Sequence, residues 1–238
     1  MQDTSQVENY DAIIAAGNYA TEAKVSINGV DYGIDSLISV QTSRVLFGET
    51  NPTFGTAIAA EIEVEMNYPA ATIPRMAEVR PYVRISNSSL VSGWIPKGVF
   101  YIDTREKDEG SGTFRIHGYD AMLKADQEYP SSELEWSSVS PNARAVLDEI
   151  AAAIGVELDD RTKTAFPTGT GYIIGFPAKY TVREVLCSIG AMYGGSFCMS
   201  DEGKLLFIGL TDLPPETNYL ITAYGNCITF GGTRILLR

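Results

Sequence analysis

The chain contains 238 residues, of which 45% are hydrophobic and 20% are charged, a composition typical of a folded globular protein. Eighteen lysines and arginines stand against thirty aspartates and glutamates, so the formal net charge at pH 7 is −12. This excess of acidic residues argues against a surface that binds nucleic-acid phosphates or anionic lipids, because such surfaces need clustered cations.

Hydropathy and cysteine usage exclude further classes. No apolar run approaches the roughly 20 residues that cross a bilayer, and the start, MQDT, predicts no secretory signal peptide. Cys187, Cys198 and Cys227 are widely spaced in apolar surroundings, as expected of reduced thiols in a protein made in the cytoplasm. With one histidine and no cysteine cluster, the sequence predicts neither a zinc site nor a disulfide framework.

The amino-terminal part predicts one helix and then strands. Residues 10–16 read as a short helix that stops at Gly17, a common carboxyl-terminal signal. From residue 24 to about residue 119, apolar residues recur with a period of two. Asn28 and Gly29 lie between two such runs and predict a tight hairpin.

Four further segments of this region predict strands, and together they indicate a barrel or a sandwich. They span residues 60–66, 79–85, 99–105 and 113–119. Strict alternation in the first places Glu61, Glu63 and Glu65 on one face. We expect Arg80 and Arg84 to lie opposite these glutamates as cross-strand ion pairs.

Helical signals begin after residue 119. Asp120 predicts a cap for a short helix over residues 121–126, which Met122 and Leu123 would anchor against the core. A hairpin follows much later, with strands at 196–199 and 204–210.

Two longer amphipathic helices are predicted between these features. The first opens with Ser140 and Pro141 and ends at Gly155, and the second opens at Thr181 with a capping box to Glu184. Their apolar stripes are Ala143, Val146, Leu147, Ile150 and Ile154 in the first, and Val182, Val185, Leu186, Ile189 and Tyr193 in the second.

These signals predict the α+β fold class, in which an antiparallel β-barrel carries an inserted helix-plus-hairpin lobe. The expected units are an N-terminal helical arm, a barrel domain, the inserted lobe, and a β segment that returns to the barrel or starts a second one. They cover residues 1–22, 23–119, 120–210 and 211–238, respectively.

The sequence contains no catalytic motif in the structural context that the motif requires. Residues 169–175 only approach the dinucleotide fingerprint, and Pro177 blocks the helix that should follow, so a loop is predicted. His117 lies in a predicted strand without a nucleophile motif, which favours a solvated or hydrogen-bonded histidine. Asp159 and Asp160 predict a loop rather than a metal site, because a calcium loop needs several oxygen ligands at fixed offsets. The sequence therefore predicts no catalytic residue, no metal and no cofactor.

Paired carboxylates leave one enzymatic alternative open. Along a strand, Glu61, Glu63 and Glu65 would be spaced by about 6.5–7 Å, a separation that suits an inverting glycosidase. The interpretation favoured by the alternation is a solvated or ion-paired strand face.

The order of several motifs resembles the baseplate hub and tail-tip proteins of tailed phages and prophages. The motifs are WIPKGVFYIDTR at 94–105, FRIHGYDAML at 114–123, YTVREVL at 180–186 and ITFGGTRI at 228–235. The resemblance implies a trimeric hub ring of tail-tube-like β-barrels that joins the tail tube to a spike or fibre. It also implies a second barrel, so we expect the chain to be a short member or an amino-terminal fragment.

The resemblance implies a non-enzymatic structural protein of the virion tail, assembled in the bacterial cytoplasm. Its partners would be copies of itself and other tail proteins, with DNA passing through an acidic channel and no membrane involved. The alternatives are a cell-wall-glycan hydrolase that uses paired carboxylates, the non-catalytic anchor domain of a tail-associated lysin, and a carbohydrate-binding module.

Overall fold

The computed structural model describes residues 7–48, 53–69, 72–129, 142–169 and 180–209, and two short strands at 229–230 and 233–234. The helices are α1 (Tyr10–Ala16), α2 (Ala143–Ile154), α3 (Asp160–Ala165) and α4 (Val182–Tyr193), and a 3₁₀ helix spans Ala121–Asp126. The strands are β1 (Ala20–Ile27), β2 (Val30–Tyr32), β3 (Leu37–Ser43), β4 (Glu61–Asn67), β5 (Glu78–Ser86), β6 (Ile95–Pro96), β7 (Phe100–Asp108), β8 (Thr113–Asp120), β9 (Gly195–Met199), β10 (Leu205–Gly209), β11 (Thr229–Phe230) and β12 (Thr233–Arg234).

Eight strands form one antiparallel sheet in the order β2-β1-β5-β7-β8-β4-β3, and β6 pairs with β5 beside this path. Among the described residues the path is open, with β2 and β3 at its two ends. The structure thus confirms an α+β fold with a mainly antiparallel sheet, whereas closure of that sheet into a barrel is not confirmed.

The first hairpin forms where the sequence predicts it. Asn28 and Gly29 have φ angles of 49° and 82°, so both central residues adopt the left-handed conformation that a two-residue hairpin requires. This turn fixes the register of β1 against β2, with Ile27 opposite Val30.

Alternation along the strands buries one face of the sheet. In β4, Ile62, Val64 and Met66 are at most 1% exposed and point to the core, while the glutamates between them point outward. The buried cluster draws one or more side chains from most strands of the sheet: Val25, Ile27, Ala60, Ile62, Val64, Met66, Ile73, Ala77, Val79, Phe100, Ile102 and Ile116.

A second cluster of buried side chains belongs to the region after β8. Helices α2 and α4 pack with the 3₁₀ helix and with the antiparallel hairpin β9–β10. All five predicted apolar residues of α2 are buried, and so are four of the five in α4, where Tyr193 is half-buried. The predicted capping box between Thr181 and Glu184 is present, and α4 ends at Gly194.

Three predictions about this region were wrong. Helix α2 begins at Ala143 because the side chain of Asn142 accepts a hydrogen bond from the Ala145 amide; Ser140 and Pro141, the predicted start, lie outside the described residues. Asp159 and Asp160 do not form a loop, since Asp159 caps α3 and Asp160 is its first residue. Leu123 does not anchor the 3₁₀ helix, because its side chain is 41% exposed.

Other predictions fall outside the described residues. These are the glycine-rich loop after Gly169, Cys227, and most of the segment 211–238, of which the structure describes only the antiparallel pair β11–β12. No helix in the described part of the chain is both long enough and apolar enough to cross a bilayer.

Candidate functional site

The outward-facing side of β4, β8 and β7 carries four glutamates together with one arginine and the histidine. We call this surface the acidic face and define it by Glu61, Glu63, Glu65, Glu106, Arg115 and His117. The register places Glu63 opposite His117 and Glu65 opposite Arg115. With neutral histidine, four carboxylates and one guanidinium give the acidic face a net charge of −3.

The ion pairs predicted for this face were wrong. Strand β5 does not neighbour β4: Arg84 instead binds Glu22 of β1, and Arg80 binds Glu78 of its own strand. Strand β8 takes the position beside β4, so Arg115 binds Glu65 with a distance of 3.1 Å between Nη2 and Oε1.

The single histidine of the sequence lies in β8, the middle strand of this face. His117 Nε2 is 3.8 Å from Glu61 Oε2, and its ring packs edge-on against Tyr119 with 4.8 Å between centroids. The depression between β3 and β7 has a volume of about 360 Å³, and the Glu61 and Glu63 side chains beside it are exposed. This depression is open to solvent.

The aspartate and the two cysteines considered next are held in hydrogen bonds or buried in the fold. Asp159 accepts hydrogen bonds from the Arg161 amide and guanidinium, which lower its pKa. Cys187 is half-buried and Cys198 buried, both as free thiols, and burial raises the pKa of Cys198 to about 11. A thiol held in its protonated form is a poor nucleophile. Within the described ranges, no group of three or more acidic, histidine or cysteine side chains could hold a metal ion.

Asp120 joins the sheet to the lobe. Its Oδ1 accepts from the Met122 amide at 2.9 Å, which confirms the predicted cap, and its Oδ2 accepts from the Ala60 amide at 3.1 Å. The second contact was not predicted, because it depends on the pairing of β8 with the segment before β4. Asp120 is 3% exposed. Its buried carboxylate thus accepts hydrogen bonds from two amides in different parts of the chain.

Stability should therefore depend on pH through Asp120. Burial raises the pKa of Asp120 from 3.8 to about 6, against the lowering effect of the amides of Ala60 and Met122 and of the charges on Arg44 and Arg183. The folded protein then holds this proton more tightly than the unfolded chain, so the carboxyl stabilises the fold most below its unfolded pKa and loses that contribution as the pH rises through its folded pKa. Between about pH 4 and about pH 7, we expect the stability of the wild type relative to Asp120→Asn to fall by about 2–3 kcal/mol.

Urea unfolding of both proteins across that pH range measures this difference, because titrations shared by the two proteins cancel. A difference that does not change with pH would contradict the raised pKa of Asp120.

A second link between sheet and lobe is Arg183 of α4. Its guanidinium donates to the carbonyl oxygens of Ala57 and Met122, and it binds the carboxylate of Asp126 through Nε at 2.6 Å. Beside it, the Phe197 amide donates to the carbonyl of Thr56 at 2.8 Å. The segment before β4 is thus held by backbone and side-chain contacts to both α4 and β9.

No protein-family model matches the sequence, and no curated protein sequence matches it. Fourteen chains of solved structures are similar, among them those of two tail proteins. The 43 kDa tail protein of prophage MuSo2 from Shewanella oneidensis is 14% identical, with a TM-score of 0.49 over 80% of this chain and 56% of that chain. The tail protein from Neisseria meningitidis MC58 is 12% identical, with a TM-score of 0.50 over 79% of this chain and 50% of that chain. The chain therefore spans about half the length of these proteins and shares its fold with the second.

Proposed function

We propose that this chain is a non-catalytic structural component of a phage or prophage tail, in the hub or tip ring that connects the tail tube to a spike or fibre. The observation that carries the proposal is the fold shared with the Neisseria meningitidis tail protein over 79% of the chain. The order of motifs along the sequence supports the same assignment. The protein would assemble in the bacterial cytoplasm and act in the virion tail.

The proposal includes a tail-tube-like barrel. Its wall would be the sheet that now ends at β2 and β3, and the lobe formed by residues 120–210 would be inserted in it. The segment 211–238 would return to this barrel or start a second one. Support for the division comes from the two separate clusters of buried side chains, one in the sheet and one in the lobe.

The acidic face would line the channel through which DNA passes. Its net charge of −3 is repeated in every copy of a ring, and like charge keeps a polyanion in transit from adhering to the wall. The interaction is strongest at low salt, because screening limits it to about 10 Å at 0.1 M ionic strength.

Replacing Glu61, Glu63 and Glu65 together by glutamine should increase DNA retention at low ionic strength and leave the fold intact. The repulsion between these carboxylates and DNA is lost. The contacts removed, of Glu65 with Arg115 and of Glu61 with His117, are partly exposed, and each is worth less than about 1 kcal/mol. Retention on immobilised DNA at low and high salt measures the effect.

The matched control replaces Glu109, Glu157 and Glu202 by glutamine, because these exposed glutamates lie outside the acidic face and the change in net charge is the same. Equal retention by both triple variants would show that total charge, and not the acidic face, excludes DNA.

Replacing the same three glutamates one at a time tests the hydrolase alternative, for which the specific observation is the shared face of the glutamates and the contact of His117 with Glu61. The proposal predicts that purified wild type releases no soluble fragments from peptidoglycan. Release that disappears on changing any one of the three glutamates would replace the structural role with an enzymatic one.

A further inference from the structure

A depression with a volume of about 350 Å³ lies beside the hairpin between β7 and β8, on the side of the sheet that carries the buried cluster. It is open to solvent, and none of the described side chains that line it is acidic. We call it the cationic pocket. It is defined by Tyr68, Pro69, Ile73, Arg105, Lys107 and Phe114.

A β-bulge in β7 places the two cations of the pocket on this inward side. The register of β7 against β8 shifts by one residue after Ile102. Beyond the bulge, Arg105 lies opposite Ile116, which is buried in the sheet. Lys107 lies opposite Phe114, which packs against the same buried cluster. Because residues directly opposite each other share a face, both cations extend from the inward face of the sheet.

Arg105 has hydrogen-bonding capacity that the described fold does not use. Its half-buried guanidinium donates to the carbonyl oxygen of Ile73. A guanidinium carries five N–H donors, and no carboxylate in the described part of the chain forms an ion pair with Arg105. The remaining donors form a planar fork that can bind one carboxylate through two parallel hydrogen bonds.

Lys107 is held by weak contacts that a ligand can replace. Its ammonium group lies 4.5 Å from the centroid of the Tyr68 ring and 3.2 Å from Oε1 of Glu109. The Glu109 side chain is 82% exposed in the hairpin, and exposed pairs of this kind contribute little to stability. A carboxylate that reaches both Lys107 and Arg105 can therefore take the place of Glu109.

Two aromatic rings form an apolar wall beside these cations. Tyr68 and Phe114 meet edge to face, with 5.7 Å between their centroids and an angle of 87° between their planes. Tyr68 is 53% exposed, so its ring is accessible from solvent. Aromatic side chains supply large contact areas for apolar groups. The cationic pocket thus matches a carboxylate that has an apolar or aromatic group next to it.

The charge of the remaining surface makes this pocket selective for acidic partners. The whole chain has a net charge of −12, and the opposite side of β7 and β8 belongs to the acidic face, with its net charge of −3. An acidic segment is repelled by that face and attracted by the cationic pocket. The charge pattern therefore directs such a partner to one side of the sheet.

The shape of the pocket favours a polypeptide segment over a free small molecule. Sites for small molecules usually bury most of the ligand surface, whereas this depression is open to solvent. Arg105 and Lys107 are alternate residues of one strand, so their Cα atoms are separated by about 6.5–7 Å. Acidic residues at alternate positions of an extended peptide have the same spacing and point to the same side.

We propose that the cationic pocket binds an extended segment of a partner protein, in which acidic residues at alternate positions accompany an aromatic or aliphatic residue. The proposal rests on the function proposed above only in that the partner would be another tail protein. It adds to that function a recognition site at the end of β8 away from Asp120 and the lobe. The pocket requires no open strand edge, so it is compatible with closure of the sheet into a barrel.

Calorimetric titration of the full chain with the peptide acetyl-Phe-Ser-Glu-Ser-Glu-amide tests the site. Two matched peptides carry glutamine in place of both glutamates, or alanine in place of phenylalanine. The wild type should bind the glutamate peptide at least about tenfold more tightly than the glutamine peptide, because charge-assisted hydrogen bonds are lost in the latter. Equal binding of these two peptides, or no binding of the glutamate peptide at millimolar concentration, would overturn the proposal.

Lys107→Met should weaken binding of the glutamate peptide about tenfold, and so should Arg105→Met. The first variant keeps the bond between Arg105 and Ile73, so the test does not depend on the folding of the second. The matched control is Lys163→Met in α3, since Lys163 is 43% exposed where Lys107 is 45% exposed and each pairs with one exposed carboxylate. Equal weakening by the variants of both lysines would show that total charge attracts the peptide, and would overturn the proposal.

Tyr68→Ala tests the apolar part of the site. This variant should bind the phenylalanine and alanine peptides equally, whereas the wild type should prefer the phenylalanine peptide. A preference that persists in Tyr68→Ala would contradict the assigned wall.

Free N-acetylphenylalanine that binds as tightly as the peptide would identify a site for small carboxylates and overturn the assignment to a polypeptide. These titrations use the recombinant chain alone, whereas detection of the chain in purified tails tests the proposed function. The pocket assignment can therefore fail while the function stands, and the reverse is also possible.

Discussion

Replacing Gly55 by alanine is expected to lower the free energy of unfolding by about 3 kcal/mol. Gly55 has a φ of +76°, and a Cβ placed there would lie 2.5 Å from the carbonyl oxygen of Cys187 and 2.9 Å from the Cβ of Ala191. Its amide also donates to the carbonyl of Gly195 at 2.8 Å, so the segment has little room to move away from α4. The substitution therefore combines backbone strain with overpacking against backbone atoms.

Gly17→Ala is the matched control for this prediction. Gly17 has a φ of +74°, but a Cβ there would meet nothing within 4 Å, so only the backbone strain of about 1–2 kcal/mol remains. Urea unfolding of both variants measures the difference. Equal losses would mean that the close approach of residue 55 to α4 contributes nothing to stability.

Replacing Arg183 by methionine should cost about 3 kcal/mol, because the carbonyl oxygens of Ala57 and Met122 lose their bond to the guanidinium while the apolar stem is kept. The Arg183 side chain is only 24% exposed, so water replaces these bonds incompletely. The change loosens the attachment of α4 to the segment before β4 and to the 3₁₀ helix.

Arg115→Met provides the comparison, since its side chain is 64% exposed and binds only Glu65 among the described groups. An exposed pair of this kind is worth less than about 1 kcal/mol. Unfolding curves that show the same loss for both arginine variants would contradict the role of Arg183 as a link between sheet and lobe.

Local signals in the sequence predicted those elements that are determined by interactions between residues close together in the chain. The turn at Asn28 and Gly29 depends on two residues that accept positive φ, and the capping box of α4 depends on Thr181 and Glu184 three positions apart. Alternation along β4 predicted which side chains are buried, because the choice of face follows from the period of two.

Features that depend on which strands become neighbours in the sheet could not be predicted from local sequence signals. The prediction that Arg80 faces the glutamates was wrong because β5 pairs with β1 and β7, whereas β8 lies beside β4. The hydrogen bond from the Ala60 amide to the Asp120 carboxylate was not predicted for the same reason, because it too depends on β8 lying beside β4. Strand β3 was missed because a bulge between Leu37 and Ser39 interrupts its alternation.

Helix α3 was missed for a different reason. It has only six residues, too few for an apolar period, and its amino-terminal signal depends on Asp159 acting as a cap. The adjacent acidic residues Asp159 and Asp160 give the same local pattern in a loop, so the sequence alone did not distinguish the two structures.

The central claim, that the chain is a structural part of a phage or prophage tail, is tested most directly by immunogold electron microscopy. Tails are induced and purified from the strain that carries the gene, and antibodies are raised against the recombinant chain. We expect gold particles at one end of the tail, where the hub or tip lies, and recovery of the chain with the purified tails. Tails that carry no label, with the chain recovered only in the soluble fraction of the same cells, would contradict it.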